Sequence, residues 1–172
     1  MKINIASKEV VHFIGIGGIG MSGLAQIMNN MGFTIQGSDL GRNKNTDRLI
    51  KKGIKVYFGH HKTNLNKTTM VVISSAIKKN NMELIAAKNK KLPVFKRGEM
   101  LANIVALKKN VVVTGSHGKT TTTSLVANVL VEAGLDPTVI NGGVINSLKS
   151  NAQLGKGEWA VIESDESDGS FL

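Results

Sequence analysis

Val112-Val113-Thr114-Gly115-Ser116-His117-Gly118-Lys119-Thr120-Thr121 carries an apolar strand into a glycine-containing turn that ends in Gly-Lys-Thr and opens a helix. That order gathers unpaired backbone N–H groups, the positive end of a helix and a lysine around one point, the arrangement that holds a nucleoside triphosphate. Thr120 would offer a hydroxyl to the accompanying magnesium ion. The standard spacing asks for an earlier glycine where Val113 stands. The glycine sits later, at Gly115, so the loop is a shorter variant. ATP or GTP is the expected ligand.

A second glycine loop lies upstream. Gly15-Ile16-Gly17-Gly18-Ile19-Gly20 fits G-x-G-x-x-G, directly after the apolar run 10–14 and before a helical stretch. In that setting Gly15 permits the tight turn, Gly17 lets backbone approach a pyrophosphate, and Gly20 packs helix against strand. Asp39 follows at the end of the next strand, where a dinucleotide site keeps a carboxylate for ribose hydroxyls. Taken alone the loop points to NAD, but any nucleotide diphosphate fits it equally well. A dehydrogenase has no need of the second, triphosphate-type loop. A ligase that activates a nucleotide-sugar carboxylate needs both.

Strands and helices alternate along the chain, which argues for parallel sheets faced by helices. Strands are expected at 10–14, 34–37, 55–58, 70–74, 94–95, 110–114, 138–140 and 159–163. Helices are expected at 18–31, 46–52, 81–90, 98–107 and 119–133, with Ile19, Ala25 and Met28 among the buried positions of the first. The pattern restarts near residue 108. It predicts a Rossmann-like parallel-sheet domain over 1–107, followed over 108–172 by the first part of a P-loop-type α/β ATPase domain. Doubly wound domains run to roughly 100–200 residues, and the sequence stops on the apolar pair Phe171-Leu172. Residues 108–172 are therefore expected to be the front of a larger domain.

The acidic run Glu163-Ser164-Asp165-Glu166-Ser167-Asp168 follows the last of these strands. Carboxylates at the C-terminal end of a neighbouring parallel strand face the same crevice as the phosphate loop. Glu163, nearest the strand end, is the expected magnesium ligand beside Thr120; Asp165 and Glu166 are weaker candidates. His117 either lines the γ-phosphate region or faces solvent. His60-His61 either meets the first-domain ligand or forms a surface turn.

Bulk properties narrow the classes. The chain has 172 residues, 41% hydrophobic content, no cysteine and a net charge of +10. Its lysines are scattered singly or in pairs, and with one Trp and one Tyr it lacks the stacking platforms of a nucleic-acid binder. No apolar run reaches the roughly 20 residues of a membrane span, and Met1 is not followed by a secretory signal. The expectation is a cytoplasmic protein with small-molecule partners, no nucleic acid and no membrane insertion. The sequence does not fix an oligomeric state.

Together the motifs resemble the N-terminal part of the Mur ligases. The resemblance rests on His12-Phe13-Ile14-Gly15-Ile16-Gly17-Gly18-Ile19-Gly20-Met21-Ser22-Gly23-Leu24-Ala25, Gly37-Ser38-Asp39, Ser74-Ser75-Ala76-Ile77, Arg97-Gly98-Glu99-Met100-Leu101, the phosphate loop, Asn141-Gly142-Gly143 and residues 163–172. It covers nearly the whole sequence. Two small departures are Ser116 in place of a usual Thr, and Asn80-Asn81-Met82-Glu83 without the proline often found there.

The resemblance implies a three-domain enzyme of peptidoglycan precursor synthesis. Its first domain holds a UDP-sugar rather than NAD, its central domain binds ATP, and its last binds the amino acid. By similarity Gly115, Ser116, His117, Gly118, Lys119, Thr120 and Thr121 hold the ATP phosphates, and Lys119 is the catalytic cation. Thr120 and Glu163 bind Mg2+. Gly15, Gly17, Gly18, Gly20, Asp39, Ser74 and Ser75 contact UDP-N-acetylmuramate. The implied reaction passes through an acyl phosphate that the amine of L-alanine then opens. These 172 residues alone are expected to be inactive, because nothing in them corresponds to the amino-acid domain. An NAD-dependent oxidoreductase, a related ligase that recycles muropeptides, and a non-catalytic nucleotide-binding module are the competing readings.

Overall fold

A computed structural model describes residues 9–145, 150–153, 155 and 157–163. It divides into two compact units, Met1–Met100 and Leu101–Leu172. The division falls inside the helix that runs from Arg97 to Val105, ahead of the restart of the strand-loop-helix pattern at 108.

The first unit is built on β1 (Val10–Ile14), β2 (Thr34–Asp39), β3 (Lys55–Phe58), β4 (Met70–Ile73) and β5 (Val94–Lys96). All pairings are parallel, in the order β3-β2-β1-β4-β5. Helices α1 (Ile19–Asn30), α2 (Lys44–Lys51) and α3 (Met82–Asn89) supply the crossovers, with a 3-10 helix at Lys62–Leu65 that the sequence pattern did not announce. β1 lies at the centre and is buried at Val11, His12, Phe13 and Ile14, as expected of a parallel strand covered on both faces. The chain leaves β1 toward β2 on one side and returns through β4 on the other. The crevice at the C-terminal ends of β1, β2 and β4 is therefore the topological switch point, where open α/β sheets bind ligands.

The two faces differ in chemistry. Register pairs His12 with Gln36 and Ile14 with Ser38, so His12, Gln36 and Ser38 share one face. There Ile14 packs with Leu65, Val71, Leu84 and Ala87 under α3 and the 3-10 helix. α1 covers the sheet with an almost continuous buried stretch from Met21 to Met28. Ala25 and Met28 are buried as expected, but Ile19 is 53% exposed. As the first residue of α1 it sits at the rim of the glycine loop, short of the packed face. α2 is fixed at its start by a capping box, in which Asn43 Oδ1 accepts from Asn45 N–H and Thr46 N–H while Thr46 Oγ1 accepts from Asn43 N–H.

The second unit contains β6 (Lys109–Val113), β7 (Thr138–Ile145), β8 (Ser150–Gln153) and β9 (Trp159–Glu163), with α4 (Arg97–Val105) leading in and α5 (Lys119–Glu132) following β6. The sheet order is β6-β9-β7-β8, with β6–β9 and β9–β7 parallel. β8 pairs antiparallel with β7, an addition to the expected strands. Its polar sequence, Ser-Asn-Ala-Gln, gives no apolar signal. Ala127, Val139 and Val161 form the core, with Val111, Val113, Val126 and Leu130 against it. Leu125 and Val129 of α5 are 61% and 67% exposed. Lys108 Nζ donates to Thr138 Oγ1 at 2.9 Å and to the Gly157 carbonyl at 2.9 Å, tying the start of β6 to the neighbouring loops. Burial lowers its pKa, and the nearby Asp136 carboxylate opposes that shift.

Gly37 marks the tightest approach in the first unit. A Cβ there would lie 2.6 Å from the Phe13 carbonyl oxygen and 2.6 Å from Ile16 Cδ1. Backbone cannot yield as a side chain does, so Gly37→Ala is expected to cost about 2–3 kcal/mol in urea unfolding. Gly41→Ala, with nothing within 4 Å of the added atom, is expected to stay within about 0.5 kcal/mol.

Candidate functional site

In the second unit, the parallel register of β6 and β9 sets Val113 opposite Glu163. The loop leaving β6 therefore turns back beside the end of β9. Gly118 is the N-cap of α5 at φ 76°, a left-handed conformation that glycine adopts without steric cost. Lys119 is the first helical residue and Thr120 the second. Thr120 Oγ1 donates to both oxygens of Glu163, at 3.0 and 3.1 Å. The two residues expected to hold magnesium are thus in contact, though 43 residues apart in the chain. A hydroxyl and a carboxylate are the hard oxygen donors that Mg2+ takes, and the ion ordinarily completes its shell with phosphate and water. The donor set fits. Ser116, His117 and Thr121 are exposed and Gly115 is partly so. Residues 164–168 lie outside the described residues.

No side chain caps α5, and its first turn holds no acidic residue. The same is true of α1, whose N-cap is Gly18. By contrast Asn43 caps α2 and Asn81 caps α3. The 3-10 helix at Lys62–Leu65 also lacks a side-chain cap, but α1 and α5 are the α-helices that start from a glycine loop with no capping side chain, so their first N–H groups are open to an outside acceptor.

In the first unit, the glycine loop, Asp39 and Ser74 converge. Asp39 Oδ2 accepts from the Gly17 N–H at 2.7 Å, so the carboxylate at the end of β2 is held against the loop. Asn45 Nδ2 donates to the Gly17 carbonyl at 2.9 Å. A Cβ on Gly15 would lie 3.2 Å from Ser74 Cβ, which puts the end of β4 beside the turn. Gly18 is exposed, Gly20 is partly buried, and Ser75 is exposed after β4. With its Gly17 amide committed to Asp39, the loop offers an anion the first-turn amides of α1.

The sequence reading missed a buried polar cluster on the other face of the sheet. Glu83, on α3, is fully buried. Its carboxylate accepts from Ser38 Oγ at 2.5 Å, Asn64 Nδ2 at 2.7 Å and His60 Nδ1 at 3.2 Å. His12 Nε2 lies 3.5 Å away and is otherwise unpaired. Gln36 Nε2 donates to the Asn64 carbonyl at 2.9 Å and to Thr68 Oγ1 at 3.0 Å, and lies 3.3 Å from His12 Nδ1. Burial pushes the Glu83 pKa up. The hydrogen bonds from His12, Ser38 and Asn64 and the charge interaction with His12 outweigh that and hold it below 4.5. Of the two adjacent histidines, His60 turns inward to this cluster and His61 is exposed. The available signal was three polar residues, His12, Gln36 and Ser38, at alternate positions of central strands.

Residues 10–109 match the Mur ligase family, catalytic domain, and residues 113–166 match the Mur ligase middle domain. The chain is 64% identical over 172 residues to a UDP-N-acetylmuramate–L-alanine ligase of Pelagibacter ubique, covering 100% of this chain and 37% of that protein. It is 55% identical over 172 residues to the same-named protein of Brucella ovis, covering 36% of it. Among solved structures, a UDP-N-acetylmuramate-alanine ligase from Thermotoga maritima aligns with a TM-score of 0.76 at 35% identity, over 91% of this chain and 37% of that one. A UDP-N-acetylmuramate:L-alanyl-γ-D-glutamyl-meso-diaminopimelate ligase from Neisseria meningitides aligns at 0.75 and 34%, over 92% and 53%. The chain thus spans a little over a third of the length of the curated relatives it matches.

Glu83→Ala strands the buried donors of Ser38, Asn64 and His60, and is expected to cost about 3–5 kcal/mol of stability. Because the folded pKa of Glu83 is lowered, its contribution is complete above its ordinary value of 4.5 and is lost as pH falls through the folded value. The stability gap between wild type and Glu83→Gln, read by denaturant unfolding, should therefore be full at pH 6 and shrink on acidification below about pH 4.5.

Proposed function

The chain belongs to the Mur ligase family, and from that premise we propose that it carries the UDP-sugar-binding and ATP-phosphate-binding parts of an ATP-dependent ligase that joins L-alanine to the carboxylate of UDP-N-acetylmuramate. The observation that carries this reading is the pair of α-helix starts that follow a glycine loop and have no capping side chain, whereas α2 and α3 are closed by asparagine. L-alanine as the amino donor rests on the curated relatives, at up to 64% identity. The peptide-adding enzyme among the solved structures is similar at 34%.

In this reading residues 1–107 form the UDP-sugar domain and 108–172 the first part of the ATP domain. The first-turn amides of α1 receive the diphosphate. Asp39, held to the loop through Gly17, presents its remaining lone pairs toward the ribose, and Ser74 and Ser75 line the same crevice. The amides of residues 115–121 wrap the ATP phosphates, and Lys119 neutralises charge on the transferred group. Thr120 and Glu163 hold Mg2+, which supplies charge neutralisation at the phosphates when bound. The muramate carboxylate oxygen attacks the γ-phosphorus and ADP leaves. The amine of L-alanine then attacks the acyl carbon, phosphate leaves, and an amide remains. Phosphoryl transfer asks the protein mainly for position and charge, which these residues provide. The reaction needs no lipid phase, and among the described residues no helix is long and apolar enough to cross a membrane. We assign it to the cytoplasm.

In the complete protein, Lys119→Ala should lower kcat for L-alanine-dependent phosphate release by about 10²–10³-fold. Thr120→Val, which removes one oxygen donor with little change of shape, should raise the Mg2+ concentration giving half-maximal rate by about tenfold or more. The 172 residues on their own should show no L-alanine-dependent phosphate release. Full activity in Lys119→Ala would overturn the assignment.

A further inference from the structure

Arg97 is the first residue of α4, directly after β5, the strand next to β4 and two strands from β1. Its guanidinium crosses to the glycine loop. A Cβ built on Gly20 would lie 2.9 Å from Arg97 Nη1, 3.1 Å from Cδ and 3.2 Å from Cζ. The side chain therefore lies flat over the first turn of α1, in the space that any residue larger than glycine at position 20 would occupy. It is neither fully buried nor splayed into solvent.

That placement is electrostatically unfavourable in the protein by itself. The start of α1 carries the positive end of the helix dipole, and a cation there is repelled. No acidic residue in the first turn compensates. Among the described residues the guanidinium has no hydrogen-bond or ion-pair partner. Glu99, two residues on, gives a carboxylate oxygen to the Lys96 N–H at 2.8 Å. Asp39 is the acidic group on the loop itself, and its Oδ2 is taken by Gly17 N–H. Asp39 also adds a negative charge close to where a diphosphate would sit, and an anion entering there needs a compensating cation nearby.

We propose that Arg97 is a ligand-binding residue of the first unit: its guanidinium closes over the glycine loop and donates to the diphosphate of the nucleotide sugar, completing a cradle whose other donors are the first-turn amides of α1. Guanidinium donors in a planar fork match phosphate oxygens in pairs, which a lysine cannot do. Gly20 then has a reason beyond helix-strand packing: it leaves the room in which the arginine lies. The inference rests on the UDP-sugar reading of this unit.

The test is calorimetric binding of UDP-N-acetylmuramate, UDP and uridine to the complete protein, wild type against Arg97→Gln and Arg97→Lys, with thermal melting to check folding. Loss of a charged hydrogen bond predicts that Arg97→Gln weakens UDP-N-acetylmuramate and UDP by about 10–100-fold. Uridine, which has no phosphate, should change by less than about twofold, and so should the KM for ATP. Arg97→Lys should fall between, keeping charge but losing the fork. Wild-type affinity for UDP in Arg97→Gln overturns the proposal, as does an equal loss for uridine and UDP, which would mark a structural role. If the wild type binds UDP but not UDP-N-acetylmuramate, the substrate reading fails while the arginine-diphosphate contact is still decided by the UDP arm. If the wild type binds none of the three, both fall.

Discussion

The first N–H groups of an α-helix have no acceptor within the helix, and something must take them. This chain resolves that requirement in two ways. On α2 and α3 an asparagine closes the start: Asn43 and Asn81. Where a helix follows a glycine loop, no side chain intervenes and no carboxylate occupies the first turn. The result is two helix starts without a capping side chain at the C-terminal ends of parallel strands. Such sites attract phosphates without any base or sugar recognition. The rest of each unit serves to hold these helix starts in place.

In the first unit that support comes from both faces of one sheet. On one face α1 is buried over most of its length, which fixes the direction of its amides. On the other, a single carboxylate gathers Ser38, Asn64, His60 and His12 from separate segments. Ser38 is next to Asp39, and Asp39 in turn holds Gly17. A continuous series of contacts thus runs from the buried Glu83 carboxylate, through Ser38 and Asp39 at the end of β2, to the loop. In the second unit the link is shorter. Register alone brings Glu163 beside the phosphate loop, where Thr120 meets it. In both units a carboxylate from the end of a strand meets the glycine loop or the helix that follows it: Asp39 at Gly17 and Glu163 at Thr120.

Much of this was legible in the residues. Glycine spacing, the Gly-Lys-Thr run and the apolar strands are local signals, and they located both loops, nearly every element and the Thr120–Glu163 pairing. Three features were not legible, each because a tertiary contact decides it. Ile19 reads as an apolar helix residue, yet it stands on the loop rim and stays exposed. The strand Ser150–Gln153 is polar and is made a strand by its antiparallel partner. The cluster around Glu83 is written as isolated polar residues, whose burial becomes tolerable only when sheet register and α3 bring them together. Arg97 belongs with these, since its nearness to Gly20 follows from strand order rather than from sequence distance.

The central claim is that the two uncapped helix starts are anion sites with different occupants. It is tested most directly by a crystal structure of the complete protein with UDP-N-acetylmuramate, a non-hydrolysable ATP analogue and Mg2+. The account predicts diphosphate oxygens within about 3 Å of amide nitrogens in the first turn of α1, and triphosphate oxygens within about 3 Å of those at the start of α5. Phosphates of either ligand seated away from these amides would contradict it.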